Sequence, residues 1–231
     1  VNAGNSIASG GNYNTVVGDE AGTAITTGDG LTFVGYAAGS SATTSTDSVG
    51  IGEHALDDLT TGVGNVAIGR YAGGDITTAA GNVAIGSYDG TKQPALRVNT
   101  TGAANVAVGS GSLGANTTAS NNTAVGYASL GANTTGASNV AVGAYALDAN
   151  VSSSSNTAIG YNSLTTNTAA SNTAVGKDSL EANSSGGSNV AVGADALSSN
   201  TTASNNTAVG KSALVANTTG TINTAIGALS L

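Results

Sequence analysis

The sequence predicts an all-β chain, a parallel β-roll or β-solenoid of about 13 coils with a 17-residue period. Three observations carry this. First, a pentapeptide N-[TV]-A-[VI]-G recurs. Its last residue falls at Gly18, Gly35, Gly52, Gly69, Gly86, Gly109, Gly126, Gly143, Gly160, Gly176, Gly193, Gly210 and Gly227, with every step 17 residues except one of 23 and one of 16. Second, the 231 residues include 35 Gly and a single Pro, and Ala, Thr, Asn and Ser fill most of the rest, a composition that opposes helix and suits short segments joined by turns. Third, 17 residues are too few for a helix-turn-helix repeat.

Each element of the coil follows from its residues. In N-T-A-V-G the side chains alternate, placing Thr123 and Val125 on one face and Asn122 and Ala124 on the other. Gly126 then permits a bend. The next segment, Y-A-S-L, reads as a second short strand with Ala128 and Leu130 on one face, and N-T-T closes the coil as a polar turn. Stacking brings equivalent residues over one another at roughly 4.8 Å. The expected structural ladders are Asn122 over Asn139, Ala124 over Ala141, Val125 over Val142, Gly126 over Gly143 and Leu130 over Leu147. Val and Leu are expected to form the apolar ribs, and Asn a hydrogen-bonded column. Ala on the face opposite Val is what a closely packed neighbouring rod would require, or what a tight coil alone would admit; a strand apolar on both faces expects cover on both.

Two blocks of coils are distinguished by the residue four after the repeat Gly. Residues 1–90 carry mostly Gly there (Gly22, Gly39, Gly73 and Gly90, with Leu56), and residues 103–231 carry Leu (from Leu113 to Leu231). Between them, residues 91–102 form an insertion loop and re-entry, in a stretch holding Lys92, Arg97 and the only proline, Pro94. Such insertions emerge on one face of an array, as a tolerated bulge or as a functional loop.

Much chemistry is excluded. There is no Cys, so disulfide frameworks and Cys-based metal or nucleophile sites are ruled out. No apolar run approaches the roughly 20 residues of a membrane-spanning helix, and the first residues lack the basic start and apolar stretch of a secretory signal. With 5 basic residues, 13 acidic ones and a pI near 4.1, the chain repels phosphate and is not expected to bind nucleic acid. His54 is the single histidine and reads as a surface turn residue, with no second histidine to complete a triad or metal site. The acids Asp19, Glu20, Asp29, Asp57 and Asp58 lack calcium-loop spacing. No catalytic residue, metal ligand or cofactor is expected, and the chain does not read as an enzyme. The N-x-[ST] strings, Asn116 and Asn133 among them, follow from repetition of ladder residues rather than marking glycosylation. Candidate surface contacts are Lys92 and Arg97 in the insertion and Tyr127 and Tyr161 beside the repeat Gly, where aromatic rings stack on sugars or fill grooves between coils or chains.

The run N-[TV]-A-[VI]-G followed by x-x-[AS]-L, across essentially the whole chain, resembles the N-S-V-A-I-G repeat of the YadA-like heads of trimeric autotransporter adhesins. It is also similar to the N-T-A-I-G-Y-N-A-L arrays of some bacteriophage tail fibres. The period here is longer than in those heads, and Thr or Val stands where their repeat has Ser. The resemblance implies a left-handed roll assembled as a homotrimer.

The expected function is therefore a rigid extracellular, cell-surface or virion-borne fibre or adhesin segment. Its expected partners are two further copies of the chain and a host cell-surface receptor or glycan. Two alternatives are an ice-binding β-solenoid using the Thr-Thr ladder and a self-assembling structural filament.

Overall fold

The structure, a computed structural model, describes residues 2–8 and 10–231 and divides into two compact units, Val1–Ser120 and Asn121–Leu231. The first holds β1 (Thr15–Val17), β2 (Thr32–Val34), β3 (Val49–Ile51), β4 (Val66–Ile68), β5 (Val83–Ile85) and β6 (Val106–Val108). The second holds β7 (Thr123–Val125), β8 (Val140–Val142), β9 (Thr157–Ile159), β10 (Thr173–Val175), β11 (Val190–Val192), β12 (Thr207–Val209) and β13 (Thr224–Ile226). Within each unit every strand pairs in parallel with the next and in perfect repeat register, as Val66↔Val83 in the first and Ala141↔Ala158 in the second. Among the described residues there is no helix. Each unit is a parallel β-solenoid with one three-residue strand per coil.

The strands face the opposite way from the sequence expectation. The middle residue points inward, so Ala67, Ala84, Ala124 and Ala141 are buried, whereas Val and Ile on either side are half-buried or exposed. The ribs of the interior are therefore Ala and Leu, and Val125 and Val142 stand on the outer face. Width decides this. The middle residue of the strand faces the position four after the repeat Gly across a narrow interior: a Cβ placed on Gly73 would lie 3.7 Å from that of Ala67. Where that facing position is Leu, as at Leu113, Leu130 and Leu147, only a methyl group fits opposite it at interior density.

The second strand expected over Y-A-S-L is absent. That segment is a run of linked turns in which Ala128 and Leu130 both adopt left-handed backbone, with φ of 54° and 51°. In the next coil the N–H groups alternate between the carbonyl three residues back and a neighbouring coil: Ala146 donates to Gly143, Leu147 to Ser163, Asp148 to Tyr145 and Ala149 to Thr165. Consecutive Ala146 and Leu147 are both buried, which a strand with two alternating faces does not allow. Left-handed backbone at Leu costs energy that the surrounding ladder supplies. Gly22, Gly39 and Gly73, at this position in the first block with φ of 56° to 57°, are the sequence signal that could have revealed it.

The two blocks use one backbone with different fillings. Where the position after the repeat Gly by four is Gly, a large residue elsewhere takes the space. Ile25 fills it over Gly22, Ile76 over Gly73, and the Phe33 ring over Gly39, each so close that a Cβ on the glycine would meet it at 2.9 Å or less. Phe33 also lies against Gly50 of the next coil, where a Cβ would meet its ring at 3.0 Å. In the second block Leu takes that position, and the residue three further on is Asn where the first block has Ile25, Ala42, Leu59 and Ile76.

Those asparagines make a second buried ladder beside the expected one. In the coil of β8, Asn139 accepts from the backbone N–H of Asn156 (3.0 Å), and its amide donates to Asn122 Oδ1 (3.2 Å) and to the Ser153 carbonyl (2.9 Å). Asn150, on the other side of the same coil, donates to Asn133 Oδ1 and to that same Ser153 carbonyl (3.0 Å). Both lone pairs of one carbonyl are thus engaged by two amides. The clasp recurs on Gly102 (Asn82 and Asn99), Ala119 (Asn105 and Asn116), Gly136 (Asn122 and Asn133) and Ala203 (Asn189 and Asn200). Asn99, Asn116, Asn133, Asn150, Asn183 and Asn200, all in N-x-[ST] strings, are buried in this ladder and closed to modification.

The long step also resolves differently. Ala95 donates to the Gly86 carbonyl as Ala72 does to Gly69, and Leu96 is buried with φ of 49°, the features of a regular coil. Gly90 is therefore not the counterpart of Gly73. The extra residues lie between Gly86 and Ala95, and regular coil resumes at Ala95 rather than after residue 102.

Candidate functional site

The chain is poor in charge, yet both of its arginines and one of its three lysines fall within residues 70–97. Coil stacking places Arg97 beside the coil of Arg70, its carbonyl accepting from the Asp75 N–H at 3.0 Å, and next to them lies the inserted loop. Asp89 organises it: its Oδ1 accepts from the Thr91 N–H, the Thr91 hydroxyl and the Lys92 N–H, each at 2.8 Å. These bonds, the backbone one from Lys92 foremost, hold the carboxyl well below the usual carboxylate range. A depressed acid keeps its bonds as pH falls through the ordinary carboxylate range and loses them only below its own folded-state pKa. The Thr91 and Lys92 amide protection factors are therefore expected to stay constant between about pH 7 and pH 4. Asp89→Ala is expected to lower them by about tenfold while the neighbouring coils stay unchanged, as measured by amide hydrogen exchange.

Beside this loop, Arg70, Tyr71, Tyr88, Gln93, Pro94 and Arg97 line an open cleft of about 380 Å³, within the size range of small-ligand sites. Tyr71 is its platform. The guanidinium carbons of Arg70 and Arg97 lie 5.1 and 5.2 Å from the Tyr71 ring centre, and the His54 ring stacks on it at 4.7 Å with planes 1° apart. Arg70 is held by Glu53 through Nε at 3.1 Å, and Arg97 is ion-paired through Nη1 with Asp75. Tyr88 donates its hydroxyl to the Gly90 carbonyl (2.9 Å) and leaves 51% of its surface exposed.

Of the surface residues expected from sequence, Arg97 lines the cleft, whereas Lys92 contributes its backbone N–H to the Asp89 turn. Tyr127 and Tyr161 belong to the other unit. There they flank Tyr145 edge-on, at 5.4 and 6.2 Å between ring centres. His54, read as a surface turn residue, is half-buried, with Nδ1 2.7 Å from Asp57 Oδ2 and its ring packed between Tyr36 and Tyr71. Sequence reasoning missed Arg70, Tyr71, Tyr88 and Gln93 as one group, since only the loop's return path assembles them.

The Thr-Thr ladder spends half of its hydroxyls internally. Thr43, Thr60, Thr77 and Thr100 each donate to the carbonyl of the equivalent Thr in the next coil at 3.1 to 3.2 Å. The second Thr of each pair, as Thr44, Thr61 and Thr118, is the exposed one.

Comparison with protein-family models, curated proteins and solved structures finds no match. Among the described residues, no three His, Cys, Asp or Glu side chains converge as a metal site, and no helix is long and apolar enough to cross a membrane.

Proposed function

We propose that the chain is a rigid segment of a homotrimeric extracellular or virion-borne fibre, non-enzymatic, that carries a host-contact surface. The observation that carries this reading is the outer face of the strands. In each unit it presents columns of Val, Ile and Thr, with Val17, Ile51 and Ile68 between 38% and 55% exposed in the first and Ile159 at 40% in the second. Contiguous β-branched apolar surface of this kind marks an association face, and a parallel sheet expects cover on both sides. Identical chains placed around an axis supply that cover with the same columns. The resemblance of the repeat to trimeric adhesin heads and phage fibres supports the number three and the setting.

Light scattering of the purified chain tests it. The expected mass is three times 21.7 kDa, reduced to one chain by Ile159→Lys, with circular dichroism retained because that side chain is outside the coil. A single-chain mass for the unsubstituted protein overturns the trimer, and open-ended filaments in negative stain replace it with a self-assembling structure.

A further inference from the structure

We propose that the cleft built by the insertion binds the carboxylate-bearing ring of an acidic saccharide. This deepens the host-contact reading and rests on it for its biological setting. The chemistry is that of the lining. A guanidinium offers five N–H donors in a planar fork that matches a carboxylate. Arg70 engages Glu53 through Nε and Arg97 engages Asp75 through Nη1, so these acids anchor the two forks and leave further donors on each. The Tyr71 ring holds both guanidinium groups, their carbons 5.1 and 5.2 Å from its centre. Tyr71 is already engaged by the stacked His54 ring and by the two guanidinium groups, and the half-exposed Tyr88 is the ring left to receive the C–H face of a sugar. Gln93 is exposed at the rim and supplies an amide for hydroxyl groups, while Pro94 is buried and stiffens the wall.

Charge selects for a ligand with a single anion. Glu53 and Asp75 balance Arg70 and Arg97, and the chain as a whole carries −8, so a polyanion is repelled. Recognition then depends on fork geometry and ring stacking together. A free anion uses the first alone, and a neutral sugar the second alone.

Saturation-transfer NMR and calorimetry on the intact chain test this, with glucuronic, galacturonic and N-acetylneuraminic acids, glucose and galactose as neutral counterparts, and inorganic phosphate. At least one acid is expected to bind, with glucose and galactose weaker by about tenfold or more. Arg70→Gln and Tyr88→Ala are each expected to weaken that binding at least about fivefold without changing melting temperature or assembly mass. Arg70 is exposed and Tyr88 lies in the loop, so both variants keep the coil. No binding by any of the acids, equal binding of the neutral sugars, full competition by phosphate, or binding that survives both substitutions would each overturn the proposal. A single-chain mass with acid binding intact removes the trimeric reading and leaves the site standing; a trimer without acid binding does the reverse.

Discussion

Gly143→Ala is expected to be among the most damaging single-atom changes in the chain, lowering the stability of the unit formed by residues 121–231 by about 4 kcal/mol. Gly143 has φ of 133°, and a Cβ there would meet the Gly160 carbonyl oxygen at 2.5 Å. That atom belongs to the backbone of the next coil, which cannot rotate away as a side-chain tip would. The residue cannot simply relax its own backbone either, because its N–H donates to the Val125 carbonyl at 2.8 Å. Gly227→Ala separates the two causes. Gly227, in the same unit, has φ of 122° and donates its N–H to Val209 as Gly143 does to Val125, but nothing lies within 4 Å of a built Cβ, so it reports the backbone conformation alone and is expected to cost about 2 kcal/mol. Urea titrations followed by circular dichroism compare the two. Equal losses would mean that contact between successive repeat glycines does not set their identity.

Asn139→Ala is expected to cost about 3 kcal/mol. It leaves the buried Asn156 N–H without the oxygen it uses at 3.0 Å, and deprives the Ser153 carbonyl of one of its two amide donors. Asn139→Asp keeps the shape and the acceptor but replaces the donor with an oxygen facing Asn122 Oδ1 and the Ser153 carbonyl, where 3.2 and 2.9 Å contacts now stand. The introduced carboxylate would be buried among acceptors, which favours its protonated form. Its loss is therefore expected to exceed that of the alanine variant at neutral pH and to shrink on acidification, because only the protonated form restores a donor. Stability measured at both pH values checks this. An aspartate variant as stable as the original would show that the column is held by packing and not by its amides.

Much of this architecture was legible from spacing. Gly126 over Gly143 and Asn122 over Asn139 follow from a repeat step alone, and the parallel register and the Asn column are both as that step predicts. The exchange of Leu for Gly at the turn position was visible too, though its meaning was not. Gly73 with Ile76, and Leu147 with Asn150, are two ways to fill one volume, a relation that appears only once both residues are seen to occupy the same coil interior. The second strand failed because Ala128 and Leu130 read as apolar alternation, and residue type does not report a positive φ that neighbouring coils impose. The cleft was half legible. Arg97 stood out as a cation on an acidic chain, but Arg70 and Tyr71 lie in regular repeat positions, and only the inserted loop brings Tyr88, Gln93 and Pro94 against them.

By itself the sequence determined the period, the stacking partners of each residue and the all-β class, because a repeat of constant step leaves few ways to satisfy its backbone hydrogen bonds other than from equivalent residues one coil away. The tertiary structure alone decided which strand face turns inward. Alternation is symmetric between the two faces of a strand, and it was the narrow interior, where a Cβ on Gly73 would lie 3.7 Å from that of Ala67, that placed alanine inside and left valine and isoleucine on the surface.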